Sequence, residues 1–170
     1  MPRRTPLAVI LLVVIGVLVG RGLPHTGGDG GRRTTLGAGA VVRVVDGDTI
    51  RVRLNGRSER VRYIGVDTPE SVKPGTPVQC YAERAAAANR SLVAGRRVRL
   101  VADAEERDRF GRLLAYVYRE PDGAFVNAAL VRYGYARTLT IPPNVAHRED
   151  FSRLAAEARH AGRGLWRACS

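Results

Sequence analysis

The sequence contains few of the residues that build soft-metal sites. Its 170 residues include two cysteines, three histidines, one methionine and a single lysine, Lys73. The histidines, His25, His147 and His160, lie far apart in the chain. A zinc finger or a three-histidine zinc site needs three or four such ligands together, so both are excluded. A metal bound by this chain would therefore be held by oxygen ligands.

Acidic residues are also scarce relative to basic ones. There are 16 Asp and Glu residues against 28 Lys and Arg residues, which gives a net charge of +12. Residues 36–170 keep 23 basic and 15 acidic residues, so the excess is not confined to the N-terminus. A basic domain suits a polyanionic partner such as nucleic acid. Arginine bias also arises in GC-rich genomes, so charge alone does not assign a function.

The N-terminal segment combines a basic start with an apolar run. Arg3 and Arg4 precede fourteen uncharged residues, 7–20. A membrane span needs about 20 apolar residues, whereas a signal-peptide core is shorter. We predict that residues 1–22 are a signal peptide or an N-terminal membrane anchor. The body of the protein is then extracytoplasmic, either secreted or anchored to the membrane.

Residues 23–39 are rich in glycine, threonine and arginine and are predicted to form a flexible linker. The folded domain is then expected over residues 40–170. Cys80 and Cys169 are the only cysteines, and an exported chain meets oxidising conditions. We expect a bridge between them, the alternative being two unpaired thiols.

Alternating β-branched residues predict five strands, and alanine-rich or apolar stripes predict three helices. Turns at residues 46–48 and at Asn55-Gly56 arrange the first three strands as an antiparallel meander. This order indicates an α+β domain, a five-stranded OB-fold β-barrel with three α-helices. The predicted strands cover residues 41–45, 49–54, 59–64, 98–101 and 113–118, and the predicted helices cover 81–93, 125–133 and 147–161.

Carboxylates are concentrated where two of these strands end. Asp48 lies in the stretch V-D-G-D-T, and Asp67 begins D-T-P-E. With a nearby carbonyl such as that of Thr68, they offer the hard oxygen ligands that Ca²⁺ prefers. Glu70 follows three residues after Asp67, close enough to position or deprotonate a water molecule.

Two arginines complete this set. Arg62 precedes D-T-P-E, and Arg112 ends D-R-F-G-R. Each could bind a phosphate through two hydrogen bonds and oppose the negative charge that builds up during phosphodiester hydrolysis.

Each stretch alone also has a purely structural interpretation. Asp46-Gly47 is a common turn pair, Thr68 could cap the following turn, Arg62 could be solvated on a strand, and Arg112 could flank a turn. Their occurrence together favours metal-assisted phosphodiester hydrolysis.

The motifs, in this order, resemble the thermonuclease, or staphylococcal-nuclease-like, family over residues 42–166. The matching segments are V-D-G-D-T, R-x-x-x-x-D-T-P-E, D-R-F-G-R and V-N-A-A-L-V-R-Y-G-Y-A. The resemblance implies an OB-fold barrel with three helices and Ca²⁺-dependent hydrolysis of DNA and RNA that leaves 3′-phosphate ends.

The resemblance also implies roles for individual residues. Glu70 matches the general base, and Asp46 matches an acidic neighbour of the metal ligands. The two arginines that bind the scissile phosphate and stabilise the transition state match Arg62 and Arg112. The calcium ligands match Asp48, Asp67 and the carbonyl of Thr68.

Some positions differ from the best-known family member. That protein has tyrosine in place of Phe110 and two base-stacking tyrosines that residues 139–143 lack. We expect Ca²⁺ as cofactor, DNA and RNA as substrates with single strands favoured, no protein partner and a monomer. The alternative is an OB-fold module that binds single strands without cutting, although binding alone does not need three carboxylates beside a polyanion.

Overall fold

A computed structural model describes residues 34–71, 75 and 77–169 of the chain. The predicted signal peptide or anchor and the first part of the predicted linker lie outside the described residues. Within those residues, none of the helices is both long enough and apolar enough to cross a membrane.

Five strands form a closed barrel in the order β1-β2-β3-β6-β5, and β4 and β7 form a separate two-stranded sheet. The barrel and the helices around it confirm the predicted α+β, OB-fold architecture. The strands are β1 Thr34–Asp46, β2 Thr49–Leu54, β3 Arg57–Tyr63, β4 Gly65–Asp67, β5 Arg97–Ala102, β6 Leu113–Arg119 and β7 Arg137–Leu139. The helices are α1 Ala82–Val93, α2 Val126–Arg132, α3 Arg148–His160 and α4 Leu165–Ala168.

The barrel follows from side-chain alternation and turn chemistry. Along β2, Ile50, Val52 and Leu54 are buried between exposed arginines. Asn55 and Gly56 both have positive φ, 49° and 78°, which is the turn conformation that joins β2 tightly to β3. The predicted meander β1-β2-β3 is therefore confirmed.

Parallel pairing between β3 and β6 closes the barrel, and one buried side chain secures it. The side-chain oxygen of Asn127 on α2 accepts the N–H of Val117, 2.9 Å away. Its amide nitrogen donates to the carbonyl oxygens of Ile64 and Ala115 at 2.9 and 3.3 Å. Asn127 thus provides hydrogen-bond partners for three backbone groups at this junction.

Strand β1 begins earlier than the sequence indicates. Residues 34–39, assigned to the linker from their composition, pair with β5 from Thr34 opposite Ala102 onward. Gly39 lets this part of β1 also lie close to β2, because a Cβ there would lie 2.3 Å from the carbonyl oxygen of Arg53. The glycines that suggest a flexible linker instead let strands approach closely.

A disulfide joins Cys80, just before α1, to Cys169, just after α4, with their Cα atoms 5.9 Å apart. The bridged alternative of the sequence analysis is therefore confirmed. It ties the C-terminal end of the chain to the segment that enters α1.

Candidate active site

A polar cleft of about 400 Å³ opens at one end of the barrel. It is lined by residues of the β1–β2 turn, of β3 and of β4 with the loop that follows it, and by one arginine just before β6. All six residues singled out from the sequence as catalytic or metal-binding line it. The full lining is Val45, Asp46, Asp48, Thr49, Arg60, Arg62, Asp67, Thr68, Glu70 and Arg112.

The turn between β1 and β2 presents two nearly buried carboxylates. Asp46 and Asp48 are 8% and 5% exposed. Asp46 accepts the N–H of Gly47 at 2.8 Å, and Asp48 accepts the hydroxyl of Thr49 at 3.1 Å. Gly47 is required because a Cβ there would meet the side chain of Thr68 at 2.6–2.8 Å. The turn can therefore pack directly on the segment after β4.

Thr68 fixes the Asp48 carboxylate from that segment. Its N–H and its hydroxyl both donate to Asp48 Oδ2, at 2.9 and 3.0 Å. Two stretches of chain twenty residues apart are thereby joined at one oxygen atom. Thr68 is itself buried, so these bonds are protected from water.

Arg62 lies between the two carboxylates predicted to bind metal. Its Nη1 forms an ion pair with Asp48 Oδ2, and its Nη2 lies 3.0 Å from Asp67 Oδ1. Partial burial raises the pKa of Asp67, and the charge of Arg62 opposes this rise. Half of the Asp67 side chain, 54%, stays exposed, so this carboxylate faces the open cleft.

The donor set suits a hard divalent cation. Asp48 and Asp67 converge on one positive group, the guanidinium of Arg62, and carboxylate oxygens are the ligands that Ca²⁺ prefers. No group of three or more His, Cys, Asp or Glu side chains in the described residues is arranged as a metal cluster. A cation held here would therefore need main-chain carbonyls, waters or substrate oxygens to complete its shell.

Glu70 is held by both its main chain and its side chain. Its N–H donates to Gln79 Oε1 at 2.9 Å, and the N–H of Gln79 donates to the carbonyl oxygen of Glu70 at 3.1 Å. Its carboxyl group is hydrogen-bonded to Asp46. Burial raises the pKa of Asp46, and this contact raises it further. The side chain of Glu70 is thus held next to that of Asp46.

Arg112 is oriented by Asp108 at the other end of its loop. Asp108 Oδ2 accepts Arg112 Nε at 2.6 Å, and Asp108 Oδ1 accepts the N–H groups of Phe110 and Arg112 at 2.9 and 3.0 Å. Burial disfavours the charged form of Asp108, but these hydrogen bonds outweigh it and lower its pKa. The guanidinium is thus directed from within its own loop.

Arg107 anchors that loop to the barrel. Its guanidinium pairs with both carboxylate oxygens of Glu59 at 3.0 and 3.1 Å and donates to the carbonyl oxygen of Gly111 at 2.8 Å. The loop that carries Arg112 is therefore fixed to β3.

A second, less polar cleft of about 490 Å³ adjoins the first, and Arg62 and Arg112 line both. Its apolar wall includes Phe110, Leu139 and Ile141, which are 69%, 37% and 59% exposed. The arginines thus separate a polar space from one that can accept a flat apolar group.

Sequence reasoning missed several residues that organise the site. Asn89 is fully buried on α1, donates to the carbonyl oxygen of Asp46 at 2.8 Å and accepts the hydroxyl of Tyr63 at 2.9 Å. Its one signal is a lone amide on the buried stripe Ala82, Ala85, Ala86, Asn89 and Val93 of an alanine-rich helix. Gln79 and Arg107 carry no comparable signal, because solvent-facing residues of these types are common.

The fold agrees with comparisons to known proteins. The family model described as "Staphylococcal nuclease homologue" matches residues 60–168. The thermonuclease of Staphylococcus intermedius is 43% identical over 126 residues, which cover 74% of each chain. The thermonuclease of Staphylococcus hyicus is 40% identical over 74% of this chain and 73% of its own. Endonuclease YncB of Bacillus subtilis is 41% identical over 73% of this chain and 59% of its own. The chain therefore belongs to the staphylococcal nuclease homologue family and is a phosphodiester-cleaving hydrolase.

Proposed function

We propose that this nuclease is a calcium-dependent endonuclease that hydrolyses DNA and RNA and leaves 3′-phosphate ends. One observation carries the proposal: Arg62, Glu70 and Arg112 line the same cleft as the carboxylates of Asp48 and Asp67. A general base, two phosphate-binding cations and two hard-metal ligands are what metal-assisted phosphodiester hydrolysis requires.

Glu70 acts as the general base. It accepts a proton from the water that attacks phosphorus, the bond from phosphorus to the 5′ oxygen breaks, and the leaving oxygen takes up a proton. The phosphate stays on the 3′ oxygen. The hydrogen bonds to Gln79 and Asp46 support this role, because a base must be held within reach of its water.

Arg62 and Arg112 bind the scissile phosphate and stabilise the transition state. Negative charge grows on the phosphorus oxygens as water adds, and guanidinium groups already in place oppose that growth. Asp108 supports this role for Arg112, because it holds the side chain by Nε and leaves the two terminal nitrogens for substrate.

Asp48, Asp67 and the carbonyl of Thr68 would hold the calcium ion. When bound, Ca²⁺ supplies positive charge that polarises the phosphoryl group. Arg62 already neutralises part of the charge of both carboxylates. With only two carboxylates, we expect weak affinity, in the range of extracellular calcium modules at about 10⁻⁴–10⁻³ M.

We further propose that the enzyme works as a monomer outside the cytoplasm, with residues 1–22 as its signal peptide or membrane anchor. The disulfide between Cys80 and Cys169 supports export, because such bridges persist in oxidising compartments. Single strands are the favoured substrates, since they can enter a cleft beside an apolar wall with their bases unpaired.

Degradation of a circular single-stranded DNA, and of an RNA of matched length, tests the proposal. Loss of the circle with Ca²⁺ but not with a calcium chelator would establish metal-dependent internal cleavage. New 3′ ends should resist extension by a polymerase until a phosphatase is added.

Glu70→Gln and Arg112→Ala should each lower the rate by about 10²–10³-fold, while Glu83→Gln and Arg90→Ala on the exposed side of α1 should not. Full activity in the chelator, or unchanged turnover in the first two variants, would overturn the assignment.

A further inference from the structure

The outer surface of the barrel carries a row of arginines beside the cleft. Arg43 of β1 pairs with Arg51 of β2, and Arg51 pairs with Arg60 of β3. All three are exposed. We call these three residues the arginine row. Arg53, the next outward residue of β2, adds a fourth positive charge beside it.

A bulge in β1 brings Arg43 into this alignment. The register shifts between Val41, which pairs with Val52, and Arg43, which pairs with Arg51. Val42 is the extra residue, and it is 47% exposed. A bulge redirects the side chains that follow it, and here it completes a line of three cations across three strands.

Acidic side chains do not neutralise the row. Residues 34–63 contain three acidic residues: Asp46 and Asp48 are nearly buried in the β1–β2 turn, and Glu59 is paired with Arg107. Within the described residues Arg43, Arg51 and Arg60 have no ion-pair partner. Like charges directly opposite one another on neighbouring strands destabilise a sheet, so the row works against the fold and favours a polyanionic ligand.

The row is continuous with the cleft. Arg60 lines the cleft together with Arg62, and both point to the outer side of β3. Two residues along a strand span about 6.7 Å, and neighbouring strands lie about 4.8 Å apart. A nucleic acid strand held by Arg62 can therefore continue over Arg60, Arg51 and Arg43.

We propose that the arginine row binds the sugar–phosphate backbone of a single strand beyond the scissile phosphate. This inference rests on the proposed function, because it takes the cleft to be where the strand is cut. The contacts are to phosphates, so the row adds affinity and length preference but no base preference. A short substrate that fills the cleft alone would not reach it.

Salt dependence of binding tests the row directly. The probe is a fluorescent oligothymidylate of 20 nucleotides, and the protein is the full chain with a calcium chelator, so that hydrolysis does not interfere. Each phosphate contact contributes about 0.7 to the slope of log affinity against log salt concentration for a single strand. The triple variant R43Q/R51Q/R60Q should therefore lower that slope by about 2. The control R132Q/R148Q/R153Q removes three exposed arginines from α2 and α3, with the same change in net charge, and should leave the slope nearly unchanged.

A thermal melt and a cleavage assay complete the test. Because the row repels itself, the triple variant should melt at the same temperature as the parent or higher, so weaker binding could not be ascribed to unfolding. With Ca²⁺ the double variant R43Q/R51Q, whose two residues do not line the cleft, should lose kcat/KM on the long oligonucleotide while a dinucleotide is cleaved as before. Equal slopes for the triple variant and the control would overturn the row. The row would also be overturned if the triple variant bound the oligothymidylate like the parent but bound vesicles of anionic phospholipid more weakly. A membrane surface would then be the ligand. If the slope of the parent exceeded that of the triple variant by about 2 but the parent cleaved neither the oligonucleotide nor the dinucleotide, the result would refute the nuclease mechanism and leave the row intact.

Discussion

Glu70 and Gln79 hold each other through two hydrogen bonds: the N–H of Glu70 donates to the side-chain oxygen Oε1 of Gln79 at 2.9 Å, and the N–H of Gln79 donates to the main-chain carbonyl oxygen of Glu70 at 3.1 Å. Gln79 directly precedes Cys80, which is bonded to Cys169. The disulfide also borders the space next to Asp67. The proposed base is therefore tied, through one residue, to a covalent bond with the end of the chain.

Removing this bridge should lower both stability and rate. The cross-link closes a loop with a sequence separation of 89 residues, for which chain entropy gives a stabilisation of at most about 4–5 kcal/mol. The double variant Cys80→Ser with Cys169→Ser should therefore unfold at lower urea concentration. Its kcat should fall by up to about 100-fold, because a loosened base no longer meets its water in one geometry.

Gln79→Ala, with the bridge intact, separates the two effects: it should lower kcat with little loss of stability. A fully reduced enzyme with unchanged kcat would show that the bridge does not position Glu70.

The contact of Asn89 with Asp46 leads to a second prediction. Asn89→Ala leaves the carbonyl oxygen of Asp46 and the hydroxyl of Tyr63 without their buried partner. An unsatisfied buried polar group costs about 1–3 kcal/mol, so we expect a loss of about 2–4 kcal/mol in urea unfolding. Tyr63→Phe keeps the bond to Asp46 and leaves one buried acceptor, Asn89 Oδ1, without its donor, so it should lose about 1–3 kcal/mol, less than Asn89→Ala.

Kinetics distinguish a positioning role for Asn89 from mere support of the fold. Asn89→Ala should lower kcat at temperatures where it is fully folded, because the turn that carries Asp48 loses its anchor. Tyr63→Phe should retain kcat. Equal kcat in both variants would confine Asn89 to a structural role.

Local features made the barrel and the main site residues predictable. The alternation of buried and exposed residues along β2 depends on a few neighbouring residues, and so does the turn at Asn55-Gly56. The positive φ values of Asn55 and Gly56 confirm that turn. The segments around Asp48 and Glu70 are likewise short and contiguous. Such features survive in the sequence because the physics that produces them is local.

Long-range features were not predictable for the opposite reason. Strands β4 and β7 have three residues each and pair Gly65 with Leu139, so neither contains a full period of alternation. The start of β1 depends on its pairing with β5, about 60 residues away. The role of Asn89 depends on how α1 docks, and no pattern within α1 indicates what its buried amide will meet. Tertiary packing decides each of these cases.

The pair Glu59–Arg107 predicts a pH dependence of stability. Hydrogen bonds from Arg107 lower the pKa of Glu59 in the folded protein below its ordinary value near 4.5. The stabilisation is therefore fully present above about pH 4.5 and is lost as the pH falls through the lower, folded pKa. Because Arg107 is half exposed, we expect about 0.2–1 kcal/mol.

Urea unfolding between pH 3 and pH 7 checks this prediction. Glu59→Gln should be less stable than the parent at pH 7, and the difference should shrink towards zero at the acid end. Glu157→Gln, which removes an exposed helical ion pair with Arg153, provides the control for a general charge effect. A difference that stays constant over the whole range would show that ionisation of Glu59 is not its source.

The apolar cleft predicts how substrate affinity can be raised. Leu139 and Ile141 line it where the resemblance leads one to expect stacking tyrosines, and the 59% exposure of Ile141 leaves room for a ring. A base stacked on an aromatic side chain gains about 1–3 kcal/mol, which corresponds to about 5- to 150-fold in affinity. Ile141→Tyr should therefore lower KM for single-stranded DNA within this range and leave kcat nearly unchanged, because Arg62, Glu70 and Arg112 are not disturbed. Ala87→Tyr, on the exposed side of α1, adds the same ring away from the cleft and should change neither constant. If both variants lowered KM alike, the gain would come from nonspecific apolar contact, and the cleft beside Phe110 would not be where the base lies.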